Sequence, residues 1–333
     1  MSDYRLNPYL ALLAESQRAE FDVVVGVPSL RTAVMSLGAS LPDVLHLHWE
    51  GHWIARRTRS GSVLGFLRLA LLVVLARLRG RRVIWTVHNV RSHDSPNPDL
   101  ERLLQAALAR VVSDITVHSE SGRRTVADHL HLDLESVTVV HHGAYGGHPS
   151  GRVPRDTKIT FLTLGLLRPY KRLVELVESV AACDTDVRLV ISGPAIDDAY
   201  SSEVERAASQ VDGIDLRLGE QDDSDLADLF ASADVFLLGA QGQLTSGSAI
   251  LAASYGVPVM APRSSFLDDT FGPFYLAGDP TEPEALDFVA SKVGTQRLEA
   301  LAAGAFSRVK THTFDGMASG YAQAYLRTSV PIR

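Results

Sequence analysis

ITFLTLGLLRPYKRLVELVESVAAC, residues 159–183, holds the reading that decides the fold. Ile159 to Leu164 is a short apolar and β-branched run, which predicts a strand, and Gly165 follows it directly. Arg168 and Lys171 occupy the turn, and Arg172 to Ala182 has the spacing of a helix with one apolar face. A second apolar run, Val187 to Ser192, then completes a β-α-β unit, the building block of a parallel sheet.

The same alternation runs outward in both directions. Towards the C-terminus, strands are predicted at Asp215–Leu218, Val235–Leu238, Pro258–Ala261 and Phe274–Leu276, with helices at Asp223–Ser232 and Ser248–Tyr255. Towards the N-terminus they are predicted at Phe21–Val25, Val44–His48, Val83–His88, Ile115–His118 and Val137–His141, with helices at Val63–Leu78, Leu100–Val112 and Ser121–Leu130. GGHPSGRVPRDTK, 146–158, lacks apolar periodicity and reads as a linker. The expectation is an α/β chain of two Rossmann-like, doubly wound domains facing a central cleft, over 1–147 and 148–310. Residues 311–333 would form a last helix, with Phe314, Tyr321 and Tyr325 at helical spacing, packing back on the N-terminal domain.

The chain has 333 residues, with 32 Lys plus Arg against 39 Asp plus Glu, a net charge of −7 that argues against a nucleic-acid partner held by bulk positive charge. One cysteine, Cys183, excludes an internal disulfide and a multi-cysteine zinc site. The first twenty residues lack the basic flank and apolar run of a signal peptide, so a cytoplasmic location is expected.

LTSGSAILAASYGVPV, 244–259, is a small polar loop running into a helix and then a strand. Thr245, Ser246, Gly247 and Ser248 stand where the helix begins; its exposed N–H groups suit a diphosphate, while Ser at that place also caps a helix with no ligand at all. Arg168 and Lys171, after a parallel strand, offer a donor fork and a mobile charge for the same kind of anion. Asp184-x-Asp186 and Asp223-x-Asp225 read as a strand approach and a helix start, so no metal site is predicted.

Five motifs in order carry a resemblance: Thr86-Val87-His88-Asn89, Val117-His118-Ser119-Glu120, His142-Gly143, Gly165 to Lys171, and Ser246 to Val259. Together they resemble the family 4 glycosyltransferases and relatives of the GT-B fold, from about Asp43 to about Tyr325. The resemblance implies transfer of a hexose from a UDP- or GDP-sugar to a hydroxyl of a glycan or lipid-linked saccharide, as in bacterial surface polysaccharide assembly. The donor would sit on the C-terminal domain and the acceptor on the N-terminal one, with no metal cofactor. Gly165, Arg168, Lys171, Gly193, Gly219 and Thr245 to Ser248 are the donor-binding candidates. Lys171 matches the family's lysine by spacing, whereas Leu166 stands where the family carries an arginine. Gln243 and Leu251 replace its usual pair of glutamates.

His88 lies at a strand's carboxyl end in the motif that lines the cleft of similar enzymes, and it is the first candidate to face the acceptor. Asp94 on the following loop, or Glu50 after His48-Trp49, is the candidate general base. An epimerase on the same architecture, or a family member that binds without catalysis, shares these features. Only the epimerase would convert donor without acceptor.

Trp49 to Arg82 combines Trp53, the arginines 56, 57, 59, 68, 77, 79, 81 and 82, and the apolar run Val63–Leu78. That mix suits peripheral contact with an anionic membrane at its inner face. It equally suits a sheet-covering helix with snorkelling arginines, and the apolar run falls short of a span.

Overall fold

The computed structural model describes residues 8–26, 43–92, 95–147 and 158–327. The chain divides into two compact units, Met1–Gly143 with Phe314–Arg333, and Ala144–Thr313. Part of the expected linker, 148–157, lies outside the described residues.

In the first unit β1 (Val44–His48), β2 (Arg82–Thr86), β3 (Asp114–Val117) and β4 (Val137–Val139) form a parallel sheet in that order. RVIWT in β2 is buried at every position, as expected of a parallel strand covered on both sides. Arg82 is tolerated there because its guanidinium pairs with Asp114 and donates to the carbonyl of Arg327 at 2.6 Å. Helices Arg59–Leu78, Pro98–Ala109 and Glu120–Leu130 carry the chain between successive strands.

Two sequence expectations change here. Phe21–Val25 is no strand: residues 22–26 have no ladder partner among the described residues, and Val24 is 90% exposed. The apolar helix begins at Arg59 instead of Val63, because the Thr58 hydroxyl caps it by accepting from Gly61 N–H at 3.1 Å. The added turn brings it to 20 residues, long and apolar enough to cross a membrane by length and composition, with 33% of its most apolar window buried in the protein.

Helix Phe314–Leu326 packs with helix Pro8–Gln17 inside the first unit. Its Tyr321 is fully buried and its hydroxyl lies 2.9 Å from Thr86 Oγ1 and 3.3 Å from the Tyr9 hydroxyl. One turn on, the Tyr325 hydroxyl meets His46 Nδ1 at 2.7 Å and receives Gln17 Nε2 at 2.8 Å. Phe314 enters so close to Gly143 that a Cβ there would lie 2.8 Å from the Phe314 Cα, which gives the glycine of the His142-Gly143 motif a packing reason.

The second unit is built on β5 (Thr160–Leu164), β6 (Arg188–Gly193), β7 (Ile214–Leu218), β8 (Val235–Leu237), β9 (Val259–Ala261) and β10 (Leu276–Ala277). They pair in parallel in the order β10-β9-β8-β5-β6-β7. Alternate residues feed opposite cores: Leu162, Val190, Phe236 and Val259 join one, Phe161, Leu189, Val235 and Met260 the other. Strand order reverses between β5 and β8, and in open α/β sheets ligands gather outside the carboxyl ends at such a switch point.

Tyr321→Ala should destabilise the first unit by about 3–5 kcal/mol, because it opens a large cavity and strips one partner from Thr86. Urea unfolding followed by tryptophan fluorescence checks this through Trp85, fully buried in β2. A loss below about 1 kcal/mol would mean that the C-terminal helix is dispensable.

Candidate active site

The carboxyl edge of the second sheet brings three of the expected glycines into line. Gly165, Gly193 and Gly219 follow or end β5, β6 and β7, and all have positive φ, at 106°, 145° and 115°. Gly165 N–H donates to the Ser192 carbonyl at 2.9 Å and Gly219 N–H to the Gly193 carbonyl at 3.2 Å. A Cβ on Gly193 would collide with the Gly165 carbonyl, and one on Gly219 would meet nothing within 4 Å. Backbone thus approaches backbone between the first two, while the third faces open space.

Arg168 opens the short turn Pro169–Lys171. The Lys171 ammonium donates to the Leu164 carbonyl at 2.9 Å, and a Cβ on Gly165 would sit 2.7 Å from it, so the lysine lies across the glycine. Burial pulls its pKa down to about 8, which keeps it mostly protonated at neutral pH and readily recharged by an anion. From the other side of the switch point Gly239 supports the turn, since a Cβ there would lie 2.7 Å from the Lys171 carbonyl oxygen.

Arg172, Asp279 and Gln241 were not foreseen. Arg172 has left-handed backbone at φ 56°, a strained state for a side chain of this size. Its guanidinium bonds Asp279 at 2.7 Å, and Gln241 Nε2 donates to the same carboxylate oxygen at 3.1 Å. One acidic residue therefore ties the lysine turn to the loop after β8.

Thr245, Ser246, Gly247 and Ser248 open helix Gly247–Ser254 on that side of the sheet. Ser246 is the cap, its Oγ accepting from Ala249 N–H at 3.3 Å, so the capping role read from the sequence is filled. The loop also holds two polar atoms, Gln243 Oε1 and Thr245 Oγ1, that are buried without a hydrogen-bond partner, a cost of about 1–3 kcal/mol each unless a ligand meets them. Gln243 borders a cavity of ≈ 250 Å³ at the carboxyl ends of β8 and β9, shared with Ala240, Arg263, Ser264 and Phe266.

In the first unit, five of the histidines converge. His46 and His48 come from β1, His88 follows β2, His118 follows β3, and His142 follows β4. The Tyr9 ring meets His48, His88, His118 and His142 at centroid distances of 5.1 to 5.7 Å. Its hydroxyl lies 3.2 Å from His118 Nε2, whose other nitrogen bonds the Val140 carbonyl at 2.8 Å. His142 Nδ1 donates to the Gly143 carbonyl at 2.7 Å. Burial, then mutual repulsion, pushes His46 and His118 down to about 3, and burial alone takes His142 to about 4. The same causes hold His48 and His88 well below the usual histidine value.

His88 is 6% exposed, stacked on Trp49, with Nε2 2.9 Å from His48 Nδ1. Glu50 is also buried, at 5% exposure, and its two oxygens accept from Trp85 Nε1 at 3.0 Å and Gln105 Nε2 at 2.8 Å. Burial raises its pKa to about 7 against those two bonds. Asp94 lies outside the described residues; nearby Ser92 is held by Glu101 Oε1, which accepts from its N–H at 2.9 Å and its Oγ at 2.6 Å.

These histidines predict an acid limit to stability. Their folded pKa values lie below the unfolded value near 6.5, so the unfolded chain binds more protons as pH falls and stability drops between about pH 6.5 and 4. Each contributes up to roughly 1.4 kcal/mol per pH unit in that window. Glu50, raised to about 7, works in the opposite sense as a single group: its contribution is present below about 4.5 and is lost as pH rises towards 7. Urea midpoints measured from pH 7 to 5 should fall steeply, and His46→Gln with His118→Gln should flatten the slope; a flat profile in the native chain would contradict the neutral cluster.

Residues 150–304 match the family model described as Glycosyl transferases group 1. A GDP-mannose:glycolipid 4-beta-D-mannosyltransferase of Xanthomonas campestris pv. campestris is 27% identical over 280 residues, covering 81% of this chain and 74% of that protein. Among solved structures, Anabaena Alr3699/HepE in complex with UDP and glucose matches with a TM-score of 0.68 at 15% identity, over 88% of this chain and 80% of that one. Sucrose-phosphate synthase (tll1590) from Thermosynechococcus elongatus matches with a TM-score of 0.71 at 15% identity, over 89% and 76%. At such identity the structural likeness speaks for the fold, and that fold is the pair of parallel-sheet α/β domains expected from the motifs. Residues 150–304 thus resemble the group 1 glycosyltransferases, and the fold of the chain is GT-B.

Proposed function

We propose that the protein transfers a hexose from a nucleoside diphosphate sugar to a hydroxyl of a glycan or lipid-linked saccharide in surface polysaccharide assembly, with GDP-mannose as the first donor to try. The observation that carries this reading is the edge where the Lys171 ammonium lies across Gly165 beside Gly193 and Gly219. The buried, unpartnered Gln243 Oε1 and Thr245 Oγ1 support it, because a ligand rich in hydroxyls would satisfy them. The likeness to a GDP-mannose:glycolipid mannosyltransferase supports the donor and the lipid-linked acceptor.

In this reading Arg168, Lys171 and the N-terminus of helix Gly247–Ser254 stabilise the charge that grows on the departing diphosphate. The first unit presents the acceptor, with His88 facing its hydroxyl. No resident divalent ion is needed, since protein groups supply the positive charge.

We further propose that helix Arg59–Leu78 rests on the anionic inner face of a membrane from the cytoplasmic side. Leu69, Leu72, Val73 and Ala76 are buried, while Val63, Leu64, Leu67 and Leu71 are exposed along the opposite face. Arg56, Arg57, Arg59, Arg68 and Arg79, all exposed, border that apolar stripe. Apolar insertion and attraction to anionic headgroups would act together there.

A thermal-shift panel of nucleotide sugars in excess EDTA tests the donor site: a donor at 100 times its dissociation constant should add about 2.7 kcal/mol of stability. Lys171→Ala should remove that shift and slow transfer by 10- to 1,000-fold, the loss of about 1.4–4 kcal/mol of charge stabilisation. No shift from any donor, or an unchanged Lys171→Ala, would overturn the assignment. Conversion of donor without acceptor would instead indicate an epimerase.

Sedimentation with anionic vesicles tests the membrane face. Binding should be strong at low salt and fade as salt rises, and Leu67→Glu with Leu71→Glu should abolish it. Equal recovery in the supernatant with and without vesicles at low salt would leave the helix as an ordinary sheet cover.

A further inference from the structure

The His88 imidazole is fixed on its face, its edge and one nitrogen. Trp49 stacks on it at 4.5 Å with an interplanar angle of 16°, and the Tyr9 ring meets it edge-on at 5.1 Å and 87°. Trp49 itself has positive φ, at 49°, an uncommon state for a bulky residue that surrounding packing must enforce. The neighbouring strands β1 and β2 set the partner: His48 is in register with Thr86, two residues before His88, and its Nδ1 lies 2.9 Å from His88 Nε2. With Nε2 engaged, Nδ1 is the ring nitrogen left for a substrate.

Two neutral imidazoles joined in this way share one bridging hydrogen, and the side it belongs to decides what His88 can do. If His48 donates, His88 carries its own hydrogen on Nδ1 and can only donate to a substrate. If His48 accepts, His88 Nδ1 is bare and basic.

We propose that His48 is the positioning residue of this site, accepting the Nε2–H of His88 and thereby holding His88 in the tautomer whose Nδ1 takes the proton of an acceptor hydroxyl. The inference rests on the reading of His88 as the group that faces the acceptor. In the transfer, the acceptor oxygen forms its bond to the sugar's anomeric carbon while the bond from that carbon to the diphosphate oxygen breaks, and the electron pair leaves with the diphosphate. The hydroxyl proton passes to His88 Nδ1, giving an imidazolium whose Nε2–H remains bonded to neutral His48. A second charge at His48 would be opposed by the first at 2.9 Å, so the pair holds one proton beyond neutrality.

Long-range proton–nitrogen NMR of the full chain labelled with 15N-histidine reads the tautomer directly, with His88→Gln to assign the signal. The native protein should show the hydrogen of His88 on Nε2. His48→Ala should shift or mix the tautomer and lower kcat 10- to 100-fold, with KM for the donor within twofold. His48→Asn, whose side-chain oxygen accepts a hydrogen bond, should recover most of the rate. Turnover is followed as nucleotide release from GDP-mannose or UDP-glucose, whichever shifts the melting point, with octyl glucoside as acceptor.

A His88 that carries its hydrogen on Nδ1 in the native protein overturns the inference, and that measurement needs no variant to fold. So does a His48→Ala enzyme with native kcat, or a well-folded His48→Asn enzyme no faster than His48→Ala. Full turnover in His88→Ala would instead remove the underlying reading of His88, whatever the spectrum shows.

Discussion

The hydroxyl of Thr86 makes three hydrogen bonds, the most that one donor hydrogen and two lone pairs allow. His46 Nε2 lies at 2.8 Å, Thr116 Oγ1 at 2.7 Å and the Tyr321 hydroxyl at 2.9 Å. Those partners come from β1, β3 and the C-terminal helix, so one buried atom joins three strands to the last helix of the chain. A parallel sheet covered on both faces offers no water to replace a missing partner, and each polar side chain in it depends on its neighbours. The histidines are tolerable there for the same reason: neutral, each can give one hydrogen bond and accept another, whereas charged they would repel at ring separations of 4.1 to 5.3 Å. The order of the His88 ring is thus a consequence of packing that begins at Thr86.

The second unit solves a different problem, bringing main chain close to main chain where a charged ligand would bind. Gly193 is required because any side chain would strike the Gly165 carbonyl, and Gly165 because its φ of 106° is one that side chains rarely adopt. Arg172 follows in a left-handed conformation without being glycine, and its bond to Asp279 offsets part of that strain. Small residues therefore shape the edge, while Arg168, Lys171, Arg172 and Asp279 give it charge.

How far these arrangements could be read in the sequence depends on their range. Strands β1 and β5 to β9 lie where apolar runs put them, because a buried parallel strand needs continuous apolar residues and the pattern is local. The turn Gly165 to Lys171 was legible for the same reason: strand, glycine and cation are adjacent in sequence. Residues 22–26 have the composition of a strand, yet pairing is non-local and no partner appears among the described residues. Tyr9 and Tyr321 are 312 positions apart, and the contact between their hydroxyls leaves no trace in the periodicity of either helix. Likewise Glu50 looked like a loop carboxylate until the fold turned it towards Trp85 and Gln105.

Gln243 and Leu251, which stand where the family that the motifs resemble carries two glutamates, fit the packing around them. Leu251 sits against the apolar core formed by Leu162, Phe236, Ile250 and Val257, where an ionised carboxylate would bear a heavy desolvation cost without a cation beside it. Gln243 keeps the size of a glutamate but brings a neutral carbonyl oxygen, buried and unpartnered, to the loop before the helix. A neutral oxygen there can accept a sugar hydroxyl's hydrogen bond but does not oppose a nearby diphosphate as a carboxylate would. On the proposed reading this shifts the electrostatic demand onto the cation of Lys171 and the helix end. On the same reading, a fixed, neutral imidazole on the acceptor side is the group that takes the hydroxyl proton.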